Sequence, residues 1–278
     1  MGAPTPSVDR AIDPAYLAYQ YGDAEKLRVR RETHDRYSEL PNDAFFDWVV
    51  HQLDPRAGTT VLDVGCGPGT YQSRIARQQA QIVAVDLSEG MLREALRLAA
   101  AEHYAIQPVR ADAQALPVKD AACERVLAAQ MLYHVPDRER ALREMRRVLR
   151  PGGRIVLVTG GWQETRLLAL HREAARELGY TEGDAGGARF TLHDLALVER
   201  VFPGAERRLH ENALVFPDAA AVLRFYASGP VDGIRERTAD GSHRPLLLAA
   251  MERRLRPIFE RERVLREPKT YGCFVAEV

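Results

Sequence analysis

Long apolar runs are missing from this chain of 278 residues: no stretch approaches the roughly 18 residues that a membrane span needs. The first ten residues, MGAPTPSVDR, contain no apolar core of a secretory signal, and Pro6 stands where a myristoylation signal wants Ser or Thr. Cysteine is scarce. Cys66, Cys123 and Cys273 form no C-x-x-C pair and join no histidine cluster, which argues against a disulfide scaffold or a structural zinc site. Excess charge is absent as well, with 39 Lys plus Arg against 39 Asp plus Glu, so the chain does not read as a basic nucleic-acid binder. Lysine is nearly absent too, at Lys26, Lys119 and Lys269 alone, so almost all of the positive charge is arginine. These features predict a soluble, cytoplasmic protein with no metal site and no membrane or nucleic-acid partner.

What is present is ordinary globular composition, 46% hydrophobic and 28% charged, long enough for one enlarged domain or a domain with additions. Residues 14–53 read as helix, with Leu27, Arg30, His34 and Tyr37 at helical spacing and a second apolar stripe from Phe45 to Leu53, divided at Pro41 and Asn42. Strand and helix patterns then alternate. Residues 59–70 (TTVLDVGCGPGT) read as strand, tight turn and helix start. A second strand is QIVAVDLS, a third ends near Arg110, a fourth is RVLAAQ, and PGGRIVLVTG supplies a turn and a fifth. Such alternation predicts a parallel α/β sheet with helices on both faces and a ligand crevice at the carboxyl ends of the strands. Beyond Gly160, helices are expected at 162–179, at TLHDLALVERVF and through most of 218–266. ERRLHENALVFP is expected as one strand and TYGCFVAEV as the last.

The chemistry-bearing residues cluster after those strands. In DVGCGPG, Asp63 is followed by Gly65, Gly67 and Gly69, and glycines between a buried strand and a helix start let the backbone approach a narrow polar ligand. A dinucleotide fingerprint would need glycine at position 70, where Thr70 stands. Asp86 ends the second strand, 21 positions after Gly65, where an acid can accept bonds from both hydroxyls of a ribose; its competing role is the cap of the helix that follows. Asp112, at the end of the third strand, is placed to meet an adenine amino group or to form a turn.

VLDVGCGPG, VAVDLSEGML, ADAQALP, MLYHVPD and RVLRPGGRIVL occur in this order within residues 59–158. Together they resemble the class I S-adenosylmethionine-dependent methyltransferases. More narrowly the chain is similar to the ubiquinone/menaquinone-biosynthesis type and to actinobacterial small-molecule methyltransferases with an N-terminal L-x-x-R-x-x-x-H-x-x-Y. The resemblance implies a Rossmann-like, mostly parallel sheet of seven strands with added helical caps, and S-adenosylmethionine as cofactor. It implies that Gly65, Gly67 and Gly69 approach the methionine part, that Asp86, with Leu87 and Met91 beside it, meets the ribose, and that Asp112 and Ala113 meet the adenine. Gln130 then lies near the sulfonium, and Asp63 orients the glycine loop or reaches the ammonium.

Tyr133 and His134, just past the fourth strand, are candidates for a catalytic role at the rim; a structural loop hydrogen bond is the competing reading of His134. Tyr16, Tyr19 and Tyr21 suit closure over the cofactor or simple packing. Trp162, His171, Phe190, Phe225 and Tyr226 suit an apolar acceptor pocket with a few polar handles, although core packing accounts for each one singly. The expected organisation is a helical segment over the cofactor site (1–54), a cofactor-binding core (55–160), a helical acceptor lid (161–190), a core helix and strand (191–217), a second helical insertion (218–268) and the terminal core strand (269–278). The reading is methyl transfer to carbon or oxygen of a small-molecule acceptor, a secondary metabolite or isoprenoid-type compound, by a chain whose leading helices can exchange between subunits of a homo-oligomer. A nicotinamide-dependent oxidoreductase and a cofactor-binding protein that transfers no methyl remain alternatives.

Overall fold

The computed structural model describes residues 24–161, 164–183, 190–238 and 240–278. Tyr16, Tyr19, Tyr21 and Trp162 lie outside the described residues. The elements run α1 (Ala24–Tyr37), α2 (Asn42–Leu53), β1 (Thr60–Val64), α3 (Gln72–Arg77), β2 (Gln81–Asp86), α4 (Glu89–Ala101), β3 (Gln107–Arg110), β4 (Cys123–Ala129), a 3-10 turn (Leu132–His134), α5 (Arg138–Val148) and β5 (Leu149–Thr159). They continue with α6 (Arg166–Glu177), α7 (Leu195–Val201), β6 (Glu206–His210), β7 (Ala213–Phe216), α8 (Ala219–Ala227), α9 (His243–Glu262), β8 (Leu265–Pro268) and β9 (Tyr271–Glu277).

Two compact units emerge. The sheet unit comprises Asp43–Trp162, Phe190–His210 and Thr270–Val278; the helical unit takes the stretches up to Asn42, Gln163–Arg189 and Glu211–Lys269. In the sheet unit, seven strands among the described residues form one sheet in the order β3-β2-β1-β4-β5-β9-β6. β1 to β5 pair in parallel, and β9 runs antiparallel between β5 and β6. The expected α/β architecture is therefore found, and its order departs from the parallel 3-2-1-4-5-6 of dinucleotide-binding sheets. Central strands covered on both faces need apolar residues on both sides. Accordingly Leu62 and Val64 of β1 pack with Val126, Leu142 and Phe274 on one face, while Val61 packs with Val50, Ile75 and Val158 on the other.

The helical unit has its own core, in which Tyr226, Phe216, Leu247, Met251 and Leu255 are buried together. A two-stranded antiparallel ribbon, β7 with β8, belongs to it. Here the structure corrects two expectations. ERRLHENALVFP is two strands in two sheets, because Asn212 breaks the ladder: its Oδ1 accepts from the Ala213 N–H at 2.8 Å and the Leu40 N–H at 3.0 Å, and its Nδ2 donates to the Leu40 carbonyl at 3.1 Å. The stretch read as mostly helical to 266 stops earlier, and Leu265–Pro268 form β8, since Arg263 adopts φ 61° and ends α9 in a left-handed turn.

Candidate active site

Burial and backbone geometry shape the loop after β1. Gly65, Gly67 and Gly69 have φ of 66°, 54° and 90°, a region in which a side chain is strained. A Cβ on Gly65 would stand 2.7 Å from the Met131 side chain, and one on Gly69 would stand 2.7 Å from Gln72 Oε1. Gly67 differs. Nothing lies within 4 Å of where its Cβ would be, so the loop presents bare backbone to open space at this point.

Asp86 closes the loop from the neighbouring strand. Its Oδ2 accepts from the Gly67 N–H at 2.9 Å and its Oδ1 from the Ser88 N–H at 2.8 Å. The cap of α4 is Ser88, whose Oγ accepts from the Met91 N–H at 3.4 Å, so Asp86 is not that cap. Beside the acid, Leu87 and Met91 are 66% and 45% exposed, two large apolar side chains held in solvent at the start of a helix. Asp112 follows β3 and folds back on its own loop, its Oδ1 accepting from the Gln114 N–H at 2.8 Å, while Ala113 is buried. Gln130, just past β4, has φ 55°, with its N–H on the Val158 carbonyl at 2.9 Å.

Tyr133 and His134 lie on the 3-10 turn that follows, with their rings edge to face at 4.4 Å and the His134 N–H on the Met131 carbonyl at 2.9 Å. Because Met131 packs under Gly65, this turn and the glycine loop are neighbours. The structure thus brings Asp63, the three glycines, Asp86, Leu87, Met91, Asp112, Ala113, Gln130, Tyr133 and His134 to the carboxyl ends of β1 to β4 in one unit.

Asp63 is buried inside β1, and loss of water pushes its carboxyl up to about 7, against a bond from Gln72 Nε2 at 3.1 Å that favours the charge. Gln72 is a residue that sequence reasoning missed. It is fully buried, it ties Asp63 to α3, and its Oε1 has no partner although it faces the loop. An amide three places after the last glycine, on the buried side of a short helix, was the available signal. Tyr71 also escaped notice: it is buried next to the loop with its ring edge-on to Phe46 at 5.4 Å.

The acceptor candidates sit elsewhere. His171 and Tyr226 are core residues of the helical unit, with His171 Nδ1 2.6 Å from the Tyr226 hydroxyl, and burial lowers the pKa of the imidazole. Both are explained by packing and by this bond, rather than by an open lining. Phe225 is half-buried in the same unit, and Phe190 is buried against Phe274 in the sheet unit.

These residues fit a nucleoside with an extended polar arm. Bare backbone beside open space at Gly67, an acid at the end of β2 and exposed apolar side chains at Leu87 and Met91 give the close approach, the acceptor and the apolar surface that an adenosine needs. Among the described residues no group of three or more His, Cys, Asp or Glu could hold a metal ion, and no helix is long and apolar enough to cross a membrane.

Residues 62–157 match the model of a methyltransferase domain. A demethylmenaquinone methyltransferase of Shouchella clausii is 40% identical over 113 residues, 38% of this chain and 47% of the relative. A ubiquinone biosynthesis O-methyltransferase of Xanthomonas oryzae pv. oryzae is 38% identical over 124 residues, 42% of this chain and 49% of the relative. This chain spans about half or less of the length of the curated relatives it matches. Among solved structures, a candidate type II methyltransferase from Anaeromyxobacter dehalogenans is 26% identical with a TM-score of 0.56, covering 84% of this chain and 95% of that one. The [4+2]-cyclase SpnF shares the fold at 18% identity and a TM-score of 0.52, covering 92% of this chain and 97% of that one. The sheet unit is a Rossmann-like class I methyltransferase fold. The chain resembles the ubiquinone/menaquinone-type S-adenosylmethionine-dependent methyltransferases, and the likeness is carried by residues 62–157.

Proposed function

We propose that this protein transfers a methyl group from S-adenosylmethionine to carbon or oxygen of a small-molecule acceptor, an isoprenoid-type compound or other secondary metabolite. The observation that carries the reading is the meeting of Asp86 with the open Gly67 backbone, flanked by exposed Leu87 and Met91, inside a methyltransferase domain. When bound, the cofactor supplies a methyl group on a cationic sulfur, already activated for displacement. The chain's task is then orientation and exclusion of water, and orientation alone is worth up to about 7–11 kcal/mol in favourable cases.

In this reading the backbone of Gly65, Gly67 and Gly69 lies along the methionine arm, Asp86 holds the ribose, and Asp112 and Ala113 bracket the base. Asp63 and Gln72 stand behind the methionine arm. Gln130, Tyr133 and His134 border the reacting end, where His134 is available to take a proton if the acceptor must lose one. Three buried free thiols support a reducing, cytoplasmic setting. The relatives named for ubiquinone and demethylmenaquinone support an acceptor with an apolar body.

Isothermal titration with S-adenosylhomocysteine and with NADH tests the cofactor. Binding of the first and not the second is expected; tight NADH binding alone would return the chain to the oxidoreductases. Because SpnF shows that the fold also houses a cyclase, transfer needs its own check. Methyl from labelled cofactor is expected in the product, and cofactor recovered intact after turnover would refute transfer.

A further inference from the structure

In ADAQALP the aspartate and the glutamine two places later fold onto one another. Asp112 Oδ1 accepts the Gln114 N–H at 2.8 Å and the Asp112 carbonyl accepts the Ala115 N–H at 3.0 Å, so a side-chain turn and a backbone turn close together after β3. That turn brings the Gln114 side chain back over its own acid. Its Nε2 donates to Asp112 Oδ1 at 3.0 Å and to Oδ2 at 2.9 Å, gripping the carboxylate across both oxygens. The other end of the same amide reaches a different element: Gln114 Oε1 accepts the Asp137 N–H at 3.0 Å.

Asp137 is the cap of α5, its Oδ1 accepting the Arg140 N–H at 2.9 Å, and it stands three places after His134. Arg140 in turn donates from Nε to the Gln114 carbonyl at 3.0 Å. The 3-10 turn is tied to the same helix start, since Arg138 Nε donates to the Leu132 carbonyl at 3.2 Å. Gln114 is only half-buried, and a glutamine near solvent surrenders its rotamer freedom at a cost that bonds at both ends offset. An ionised carboxylate has about four acceptor directions, of which Gln114 takes three, two on Oδ1 and one on Oδ2. One direction on Oδ2 is left for a donor.

We propose that Gln114 is a positioning residue that couples the base end of the cofactor site to the turn bearing Tyr133 and His134. Its Nε2 sets the plane of the Asp112 carboxylate for a base that carries an amino group, and its Oε1 holds the main chain where the turn runs into α5. An amino group donates to the remaining Oδ2 direction, whereas a base with a carbonyl at that place sets one acceptor against another and is rejected. A donor that tightens Asp112 tightens the grip of Gln114, and by linkage a fixed Asp137 N–H favours the donor in turn. One amide thus relays the position of the base to the edge of the reacting end. This inference rests on the S-adenosylmethionine reading, in which Asp112 meets the base, and adds to it the residue that aims that acid.

The test uses the full chain with S-adenosylhomocysteine and with S-inosylhomocysteine, which carries a carbonyl in place of the amino group. Calorimetry gives the preference between them, and NMR-detected hydrogen exchange follows the Asp137 amide. The native chain is expected to prefer the amino ligand by about tenfold or more, as a hydrogen bond to a charged group provides, and to exchange the Asp137 amide more slowly when that ligand is bound. Gln114→Met, which removes both arms, is expected to lose most of the preference and all of the ligand-dependent slowing. Gln114→Glu separates the arms. It keeps an acceptor for the Asp137 N–H and sets a charge against Asp112, so the preference is lost while the Asp137 amide exchanges as slowly as in the unliganded native chain. A folded Gln114→Met or Gln114→Glu that keeps the preference, or a native Asp137 amide that exchanges alike with and without ligand, would overturn the proposal. Should Gln114→Met melt, Gln114→Glu and the native chain decide it. S-adenosylhomocysteine that fails to bind the native chain refutes the cofactor reading; binding with no preference or no slowing leaves that reading in place and removes the coupling alone.

Discussion

The carboxylate of Asp86 accepts the backbone N–H of Gly67 at 2.9 Å, so the end of β2 fixes the loop that follows β1. One side chain thereby orders the loop and presents its remaining lone pairs to the crevice. Replacement by Ala should weaken S-adenosylhomocysteine binding by about 1.5–3 kcal/mol, the range for a lost hydrogen bond to a charged group. Calorimetry on a variant whose thermal melt shows it folded is the check. Unchanged affinity would leave Asp86 a purely structural strap for the loop.

Two glycines in that loop should fail in different ways. Gly65→Ala combines φ 66° with a Cβ only 2.7 Å from Met131, so the change should damage folding. Gly67→Ala meets nothing within 4 Å and carries only the left-handed backbone cost of about 1–2 kcal/mol, so the protein should fold with a modest loss. Its methyl would occupy the space assigned to the ligand, and cofactor affinity should fall by at least tenfold. Melting curves and titration of both variants separate the two effects; normal affinity in Gly67→Ala would show that no ligand approaches there.

Much of this site was legible because its residues are punctuation. Glycines that end a buried strand, and acids that end the next two, stand out against the apolar runs around them. The sheet could be read for the same reason, since parallel strands are short apolar blocks bounded by turns. Gln72 was not legible: its importance comes from being folded under Asp63, and a glutamine in a helical stretch looks like any solvent-facing residue. The split of ERRLHENALVFP was hidden because Asn212 acts through contacts with Leu40, far away in sequence. His171 and Tyr226 looked like pocket residues because sequence shows polarity and not the partner that satisfies it.

That partnership makes a prediction of its own. Tyr226→Phe removes the hydroxyl 2.6 Å from His171 Nδ1 and leaves a buried nitrogen without it. A stability loss of about 1–3 kcal/mol is expected, with S-adenosylhomocysteine affinity unchanged. Denaturant unfolding followed against cofactor titration is the measurement, and a folded variant of native stability would show that the bond carries no net energy.

His134 invites a kinetic test. If its imidazole takes the proton released by the acceptor, His134→Ala should lose about 10²-fold or more in kcat with little change in cofactor affinity. If the ring only packs edge-on against Tyr133, turnover should stay near native, and the Tyr133→Leu variant should be affected at least as much.

The acidity of the core sets the remaining expectation. Asp63 has its carboxyl raised from 3.8 to about 7 by burial, so between these values the folded chain holds a proton that the unfolded chain has released. Stability of the sheet unit should therefore fall as pH rises through that window, by at most about 1.4 kcal/mol per pH unit from this group. His34 works in the opposite direction. Its imidazole is lowered from 6.5 to about 4, so the unfolded chain binds the extra proton, and the helical unit should gain stability as pH rises from 4 to 6.5. The two slopes oppose each other below pH 6.5, and only the Asp63 slope continues above it. Asp63→Asn, which keeps the shape and removes the titration, should abolish the decline between pH 6.5 and 7, while His34→Leu should abolish the gain below 6.5. Chemical denaturation across pH 4–8 for the native chain and both variants measures each slope, and a native profile unchanged by Asp63→Asn would mean that Asp63 keeps its charge in the folded protein.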